Sequence, residues 1–352
     1  MPQTIGELIL GQCARYPGLE LQDLLKLLHQ SAFGCGHFVS DEEEGLRRIL
    51  AELPGSPEVP AVEEIGGGYC RLHLSALKDG VLQSRTLLRM FCRSAEFPAE
   101  GIPLEEGLQA LQDLARAGRL PFGWEEVQAG VERWRAAGFP ACHHSPAYRA
   151  AYRPAYRVVR RELCAFLPIL RCIDTLLREK RQVIFAIEGG SAGGKTTLAL
   201  WLERLYPCNV FHMDDFFLRP EQRTPERYAE PGGNVDRERF REEVLQPLRA
   251  GRPVEYRRFD CGSFSLQPAQ TIPPRRLNLV EGAYSLHPEL AGFYDGSVFV
   301  HISPALQRAR LQKRNTPAQC KRFLEEWIPL ETRYFEAAQP WKRCTLEWEA
   351  TE

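Results

Sequence analysis

Gly189-Gly190-Ser191-Ala192-Gly193-Gly194-Lys195-Thr196, followed by Thr197, carries the spacing GxxxxGK[ST]. Glycines at those intervals let consecutive backbone N–H groups turn inward around a phosphate chain, and a helix opening at the lysine adds the positive end of its dipole. In such a loop Lys195 reaches the β- and γ-phosphates of a nucleotide, and the Thr196 hydroxyl ligates Mg²⁺. The flanks fit: residues 183–187 form a short β-branched run and residues 197–205 have helical character, giving strand, loop and helix in order. ATP and Mg²⁺ are therefore the expected cofactors. A GTPase would carry NKxD, but no lysine is followed two positions on by Asp. A motor-type ATPase would end a strand in Asp-Glu, whereas the candidate strand 277–280 ends in Glu281-Gly282. One strand-end carboxylate suits a small-molecule kinase holding one Mg²⁺, with Thr196 and Glu281 as the metal-side residues.

These residues carry a resemblance. Ile-Glu-Gly-Gly-Ser-Ala-Gly-Gly-Lys-Thr-Thr over residues 187–197 resembles the phosphate loop of the uridine kinase and phosphoribulokinase superfamily, with Gly193 where many members have Ser. Val210-Phe211-His212-Met213-Asp214-Asp215 resembles that family's second-strand motif, which implies that Asp214 is the general base taking the acceptor's hydroxyl proton, with Asp215 as fallback. By the same resemblance Asp236, in Asn234-Val235-Asp236, binds sugar hydroxyls of the acceptor, and Glu281 is the carboxylate near Mg²⁺. The stretch 307–314 is similar to the family's lid, which places Arg310 and Arg314 over the transferring phosphoryl group; four apart, they share a helix face. In the base-reading segment Phe259 stands where the family has Tyr, Cys261 replaces Phe, and Phe264 replaces His. Phe259 is thus a substrate-side candidate, and the polar group that reads a pyrimidine is missing. The resemblance spans about residues 181–340 and implies ATP-dependent phosphorylation of a hydroxyl on a nucleoside-like or other metabolite.

Several elements must position these residues. Apolar runs at 209–212, 277–280 and 297–302 alternate with charged helical segments at 237–249 and 304–314, which predicts an α/β fold: a parallel sheet with crossover helices, here a P-loop NTPase domain over residues 181–352. Pro-rich stretches at 54–60 and 268–274 read as loops. Residues 1–180 read as a mainly α-helical domain of unknown function. Leu21, Leu24, Leu25 and Leu28 recur at helix spacing, Asp41 to Glu44 supply an acidic helix start, and 124–136 reads similarly. Val159, Leu163, Phe166, Leu170, Ile173 and Leu177 step by four and three, which predicts one long helix over 156–180.

Composition limits the partners. The chain of 352 residues carries 45 Lys plus Arg against 46 Asp plus Glu, so nothing in its charge calls for nucleic acid. The most apolar long stretch, 158–177, is broken by Arg160, Arg161, Glu162, Arg171 and Asp174, and residues 1–20 lack a basic start before an apolar core. No membrane partner and a cytoplasmic location are expected. The eleven cysteines form no CxxC pair and read as reduced thiols. The partner expected is a small-molecule hydroxyl acceptor, and a homo-oligomer is compatible with everything in the sequence. In the first half, His37, His73, His143 and His144 with Cys35 or Glu64 lack metal-ligand spacing and read as hydrogen-bonded histidines near glycine turns. The competing functional reading is a nucleotide-sensing module, in which ATP sets the conformation of the helical domain without phosphorylating anything.

Overall fold

The computed structural model describes residues 3–35 and 41–350; His37 lies outside them. The chain divides into two compact units, Met1–Arg171 and Cys172–Glu352.

The first unit opens with α1 (Ile5–Arg15), held at its start by a reciprocal Thr4 and Glu7 cap. It continues with α2 (Leu21–Phe33) and α3 (Glu42–Glu52), the latter capped by Asp41. Next come β1 (Val62–Gly66) and β2 (Tyr69–His73), then α4 (Ser84–Glu96), α5 (Leu104–Arg116), α6 (Trp124–Ala136) and α7 (Pro146–Tyr152). Ile9, Leu24, Leu28, Leu111, Val127 and Val131 meet in one core, which is what the helix-spaced leucines of α2 require. The β1–β2 turn is tight: Gly67 has φ +61°, and a Cβ there would lie 1.9 Å from the Ser31 carbonyl oxygen, so only glycine fits.

The single helix expected over 156–180 is not what forms. Residues Tyr156–Arg160 are a strand, β3, antiparallel to β2 with Arg71 opposite Val158 and Cys70 opposite Val159. A short α8 (Arg161–Ala165) follows, and α9 (Leu167–Glu179) starts afresh. Two local features explain this. Val158 and Val159 are β-branched and complete a three-stranded sheet, and Pro168 is tolerated only in a helix's first turn, so the helix has to restart at Leu167. The mainly helical first domain thus also contains a sheet. Nor does the division between units fall at residue 180. Arg171 donates to the Ala76 carbonyl at 3.2 Å, whereas Asp174 accepts from the Tyr206 hydroxyl at 3.0 Å, so the two ends of α9 serve different units.

In the second unit β4 (Val183–Gly189), α10 (Lys195–Leu205) and β5 (Cys208–His212) follow in succession. After α11 (Pro225–Ala229), residues 237–249 form one helical run, α12 (Arg237–Phe240), a π-helical turn and α13 (Gln246–Arg249). Short strands β6 (Val254–Tyr256), β7 (Phe259–Asp260), β8 (Ser265–Leu266) and β9 (Gln270–Ile272) come next. Because β9 pairs with β6, the stretch 268–274 is not simply a loop: Thr271 fits a ladder between its flanking prolines. The chain ends through β10 (Leu277–Glu281), β11 (Gly296–His301), α14 (Pro304–Arg314), α15 (Pro317–Arg322), α16 (Ile328–Ala338) and β12 (Leu346–Glu349). The main sheet is parallel in the order β12-β11-β4-β10-β5. Every residue of β4 and β10 is buried, the pattern of strands covered on both faces. This is the P-loop NTPase arrangement, with the Gly-rich turn leaving β4 where its neighbours β11 and β10 diverge, the place where such sheets bind ligands. No described helix is long and apolar enough to cross a membrane.

Candidate active site

The loop between β4 and α10 is fixed from outside. Gly194, with φ +102°, turns the chain into α10 in a conformation a side chain would strain. From α14, Gln307 Nε2 donates to the Ser191 carbonyl at 2.8 Å, and Arg310 Nη1 donates to the Ala192 and Gly193 carbonyls at 3.1 and 3.2 Å. From α16, the Glu331 carboxylate accepts the Ser191 N–H at 2.9 Å and the Ser191 hydroxyl. Lys195 is buried and donates to the Gly190 carbonyl at 3.0 Å. Arg310 therefore clamps the phosphate loop, an assignment different from a lid over the reacting phosphoryl. Arg310→Ala is expected to free two loop carbonyls and weaken ATP binding about tenfold, measured by calorimetric titration with Mg²⁺-ATP.

Sheet register brings the next group together. Glu281 pairs with Ile187 on one side and His212 on the other, so the ends of β10, β4 and β5 lie level. There the Thr196 hydroxyl sits 3.3 Å from Glu281 Oε1, and His212 Nδ1 donates to the same oxygen at 2.6 Å. That hydrogen bond raises the His212 pKa against the opposing effect of burial. Hydroxyl and carboxylate oxygens side by side are the donor types a hard divalent cation takes, so the residues present fit Mg²⁺.

Asp214 and Asp215, the expected base and its fallback, point to different surroundings. Asp215 is buried, receiving Arg258 Nε at 2.8 Å and the Tyr256 hydroxyl at 3.3 Å. Asp214 opens into a cavity of about 600 Å³ that also exposes Lys195, Thr196, Glu281 and Glu331. Its side chain is exposed to the cavity, yet the protein gathered around it thins the surrounding water. This loss of solvent raises its pKa above the ordinary aspartate value, Lys195 opposing and Glu281 adding to the effect.

The outer cavity is rich in rings: Phe217, Tyr228, Phe264, Tyr284, Phe323 and Trp327 line it with Asn234. Arg314 also lines it, its guanidinium 6.0 Å from the Phe323 ring. Asp236 and Phe259 are not among its lining residues. The Asp236 carboxylate caps α12, accepting the Arg239 N–H at 3.2 Å and facing Arg239 Nε at 3.4 Å. Phe259 is buried, with the Arg223 guanidinium 5.5 Å from its ring, and the same guanidinium lies 5.0 Å from Phe264. Sequence reading passed over Glu188. Fully buried directly before the loop, it accepts the Gly189, Tyr284 and Leu286 N–H groups and the Tyr334 hydroxyl, joining β4 to the segment after β10 and to α16. Burial still pushes its pKa up to about 7, with those hydrogen bonds and Lys195 opposing. A carboxylate inside an otherwise apolar strand was the signal that could have found it.

No protein-family model matches the chain. Among solved structures it is similar to a possible uridine kinase from Bacillus stearothermophilus, at 20% identity and a TM-score of 0.39 over 51% of this chain and 99% of that one. It is similar to a putative fructose transport system kinase from Silicibacter sp. TM1040, at 26% identity and a TM-score of 0.41 over 49% of this chain and 91% of that one. It is also similar to a shikimate kinase from Bacteroides thetaiotaomicron, at 17% identity and a TM-score of 0.28 over 48% of this chain and 86% of that one.

Proposed function

We propose that the second unit transfers a phosphoryl group from ATP to a hydroxyl of a small metabolite. The observation that carries this reading is the Asp214 carboxylate, which opens into the same cavity as Lys195, Thr196 and Glu281 while Asp215 is held elsewhere by Arg258. Lys195 and the loop N–H groups would bind the β- and γ-phosphates, and Thr196 with Glu281 would hold Mg²⁺. When bound, that ion supplies charge neutralisation at the phosphate oxygens. Arg314, facing the cavity, adds positive charge where negative charge develops, and Arg310 and Glu331 keep the loop in shape. Asp214 aligns the acceptor hydroxyl for in-line attack and accepts its proton late in a loose transition state. The aromatic outer cavity, with Asn234 as a polar contact, favours an acceptor with a flat or apolar body, nucleoside-like molecules first.

The raised Asp214 pKa gives a pH prediction. A base works only when deprotonated, so turnover falls as pH drops through its folded-state pKa, which lies above the ordinary aspartate value. A profile of kcat/KM against pH should show an acid limb above the usual aspartate range, and the residual rate of Asp214→Asn should lack it. A limb unchanged in that variant would remove Asp214 from the proton transfer.

A further inference from the structure

The first unit has a cavity of its own, about 410 Å³, to which phosphoryl transfer assigns no role. Its wall includes Lys26 from α2, Arg149 from α7, and Tyr156 and Arg157 from β3. The charges are unbalanced. Glu52 is the one carboxylate among the described lining residues, and both its oxygens take Arg157, at 2.9 and 3.0 Å. Lys26 is half-buried; it donates to the Cys142 carbonyl at 2.8 Å and joins no ion pair among the described residues. Arg149 likewise joins no ion pair among the described residues. Burial, with the Arg71 charge adding to it, lowers the Lys26 pKa against the smaller opposing pull of Asp23.

The polar side of this cavity is built rather than incidental. Asp23, itself buried, accepts the Ser145 N–H at 3.0 Å and hydroxyl at 2.7 Å and takes His144 Nδ1 at 2.7 Å. That fixes the Nδ1–H tautomer, leaving His144 Nε2 to accept the Tyr156 hydroxyl at 2.6 Å. Tyr148 stacks on His144 at 4.1 Å, and Gln30 Nε2 donates to the Tyr156 oxygen at 3.3 Å. The Tyr156 hydroxyl is thus held by two partners, His144 and Gln30, where it meets the cavity. Leu88 and Phe91 provide apolar wall.

We propose that this cavity binds a small organic anion, its carboxylate or phosphate met by Lys26 and Arg149 and its apolar body by Leu88 and Phe91. Volume and composition match a metabolite site, and arginine and lysine are the side chains that take such groups. The test uses the full chain carrying Lys195→Ala, so that the phosphate loop does not compete for the probes. Phenyl phosphate and benzoate are added, with uncharged phenol for comparison, while iodoacetamide alkylation of Cys142, which lines the cavity, is followed by peptide mass spectrometry. Phenyl phosphate or benzoate should slow alkylation of Cys142 at least fivefold and leave Cys13, in the same unit but outside the cavity, unaffected. Whichever protects at the lower concentration distinguishes phosphate from carboxylate. Arg149→Ala, an exposed position where folding is not at stake, and Lys26→Met should each raise the half-protecting concentration at least tenfold. Absence of protection by both anions, equal protection by phenol, or protection indifferent to both substitutions would overturn the proposal.

Discussion

Asp214→Asn is expected to lower the turnover number by about 10²–10⁴ while leaving the ATP dissociation constant within about twofold. The substitution keeps the shape of the side chain and removes its ability to accept a proton. ATP binding should survive because the groups shaping the phosphate loop are others: Gln307, Arg310 and Glu331 hold its backbone, and Lys195 lies along it. Asp215→Asn is the informative comparison. It strips charge from the pair with Arg258 and weakens the Tyr256 contact, so its expected effect falls on stability more than on the ratio of turnover to binding. Steady-state kinetics and ATP titration of both variants separate the two outcomes. An Asp214→Asn turnover equal to the parent's would remove it from the chemistry.

Glu63→Ala is expected to destabilise the first unit by about 3–5 kcal/mol, because it strands a buried cation. Arg71 is only 1% exposed, and Glu63 Oε1 lies 3.5 Å from its guanidinium. Gln12 and Gln30 complete the guanidinium's hydrogen bonds, and the Tyr156 ring lies 4.9 Å from it, so little water can replace the lost carboxylate. Amide exchange over β1, β2 and β3 in the full chain measures this locally. Burial disfavours the Glu63 charge, but His73, Arg71 and Gln12 outweigh it and pull the carboxyl down to about 2 from an ordinary 4.5. A depressed folded-state pKa means that the stabilisation is fully present above pH 4.5 and is lost as pH falls from there toward about 2. Protection of β1, β2 and β3 should therefore weaken over that window in the parent, and the Glu63→Ala protein should lack this contribution. Equal protection of parent and variant at neutral pH would show that Glu63 is not what holds Arg71 in place.

The parts of the site legible in the sequence are those written in consecutive residues. The loop from Gly189 to Thr196, Glu281 at the end of an apolar run, and the Asp214-Asp215 pair each need only a strand and a turn to be placed. The motif pointed to Asp214 over Asp215, but what holds Asp215 aside was not legible, since it depends on Arg258 and Tyr256 reaching back from a segment more than forty residues downstream. Glu331 on Ser191 and Tyr334 on Glu188 are contacts between residues about 140 positions apart, with no local signature. The strand 156–160 was misread as helix for the same reason: its apolar residues also fit helical steps, and the deciding partner is β2, far upstream. Asp236 and Phe259 were placed by resemblance of neighbouring residues, and that local pattern says nothing of the side-chain directions that Arg239 and Arg223 set.

The most direct test of phosphoryl transfer is acceptor-dependent ADP release from Mg²⁺-ATP over a panel of nucleosides, sugars and other small alcohols, with Lys195→Ala as the blank. The expected result is ADP release that requires one acceptor class, with matching phosphorylated product, and that is absent in the blank. ATP bound tightly, with no acceptor consumed across the panel and with protease sensitivity near residue 180 changing on nucleotide addition, would contradict transfer and leave nucleotide sensing as the function.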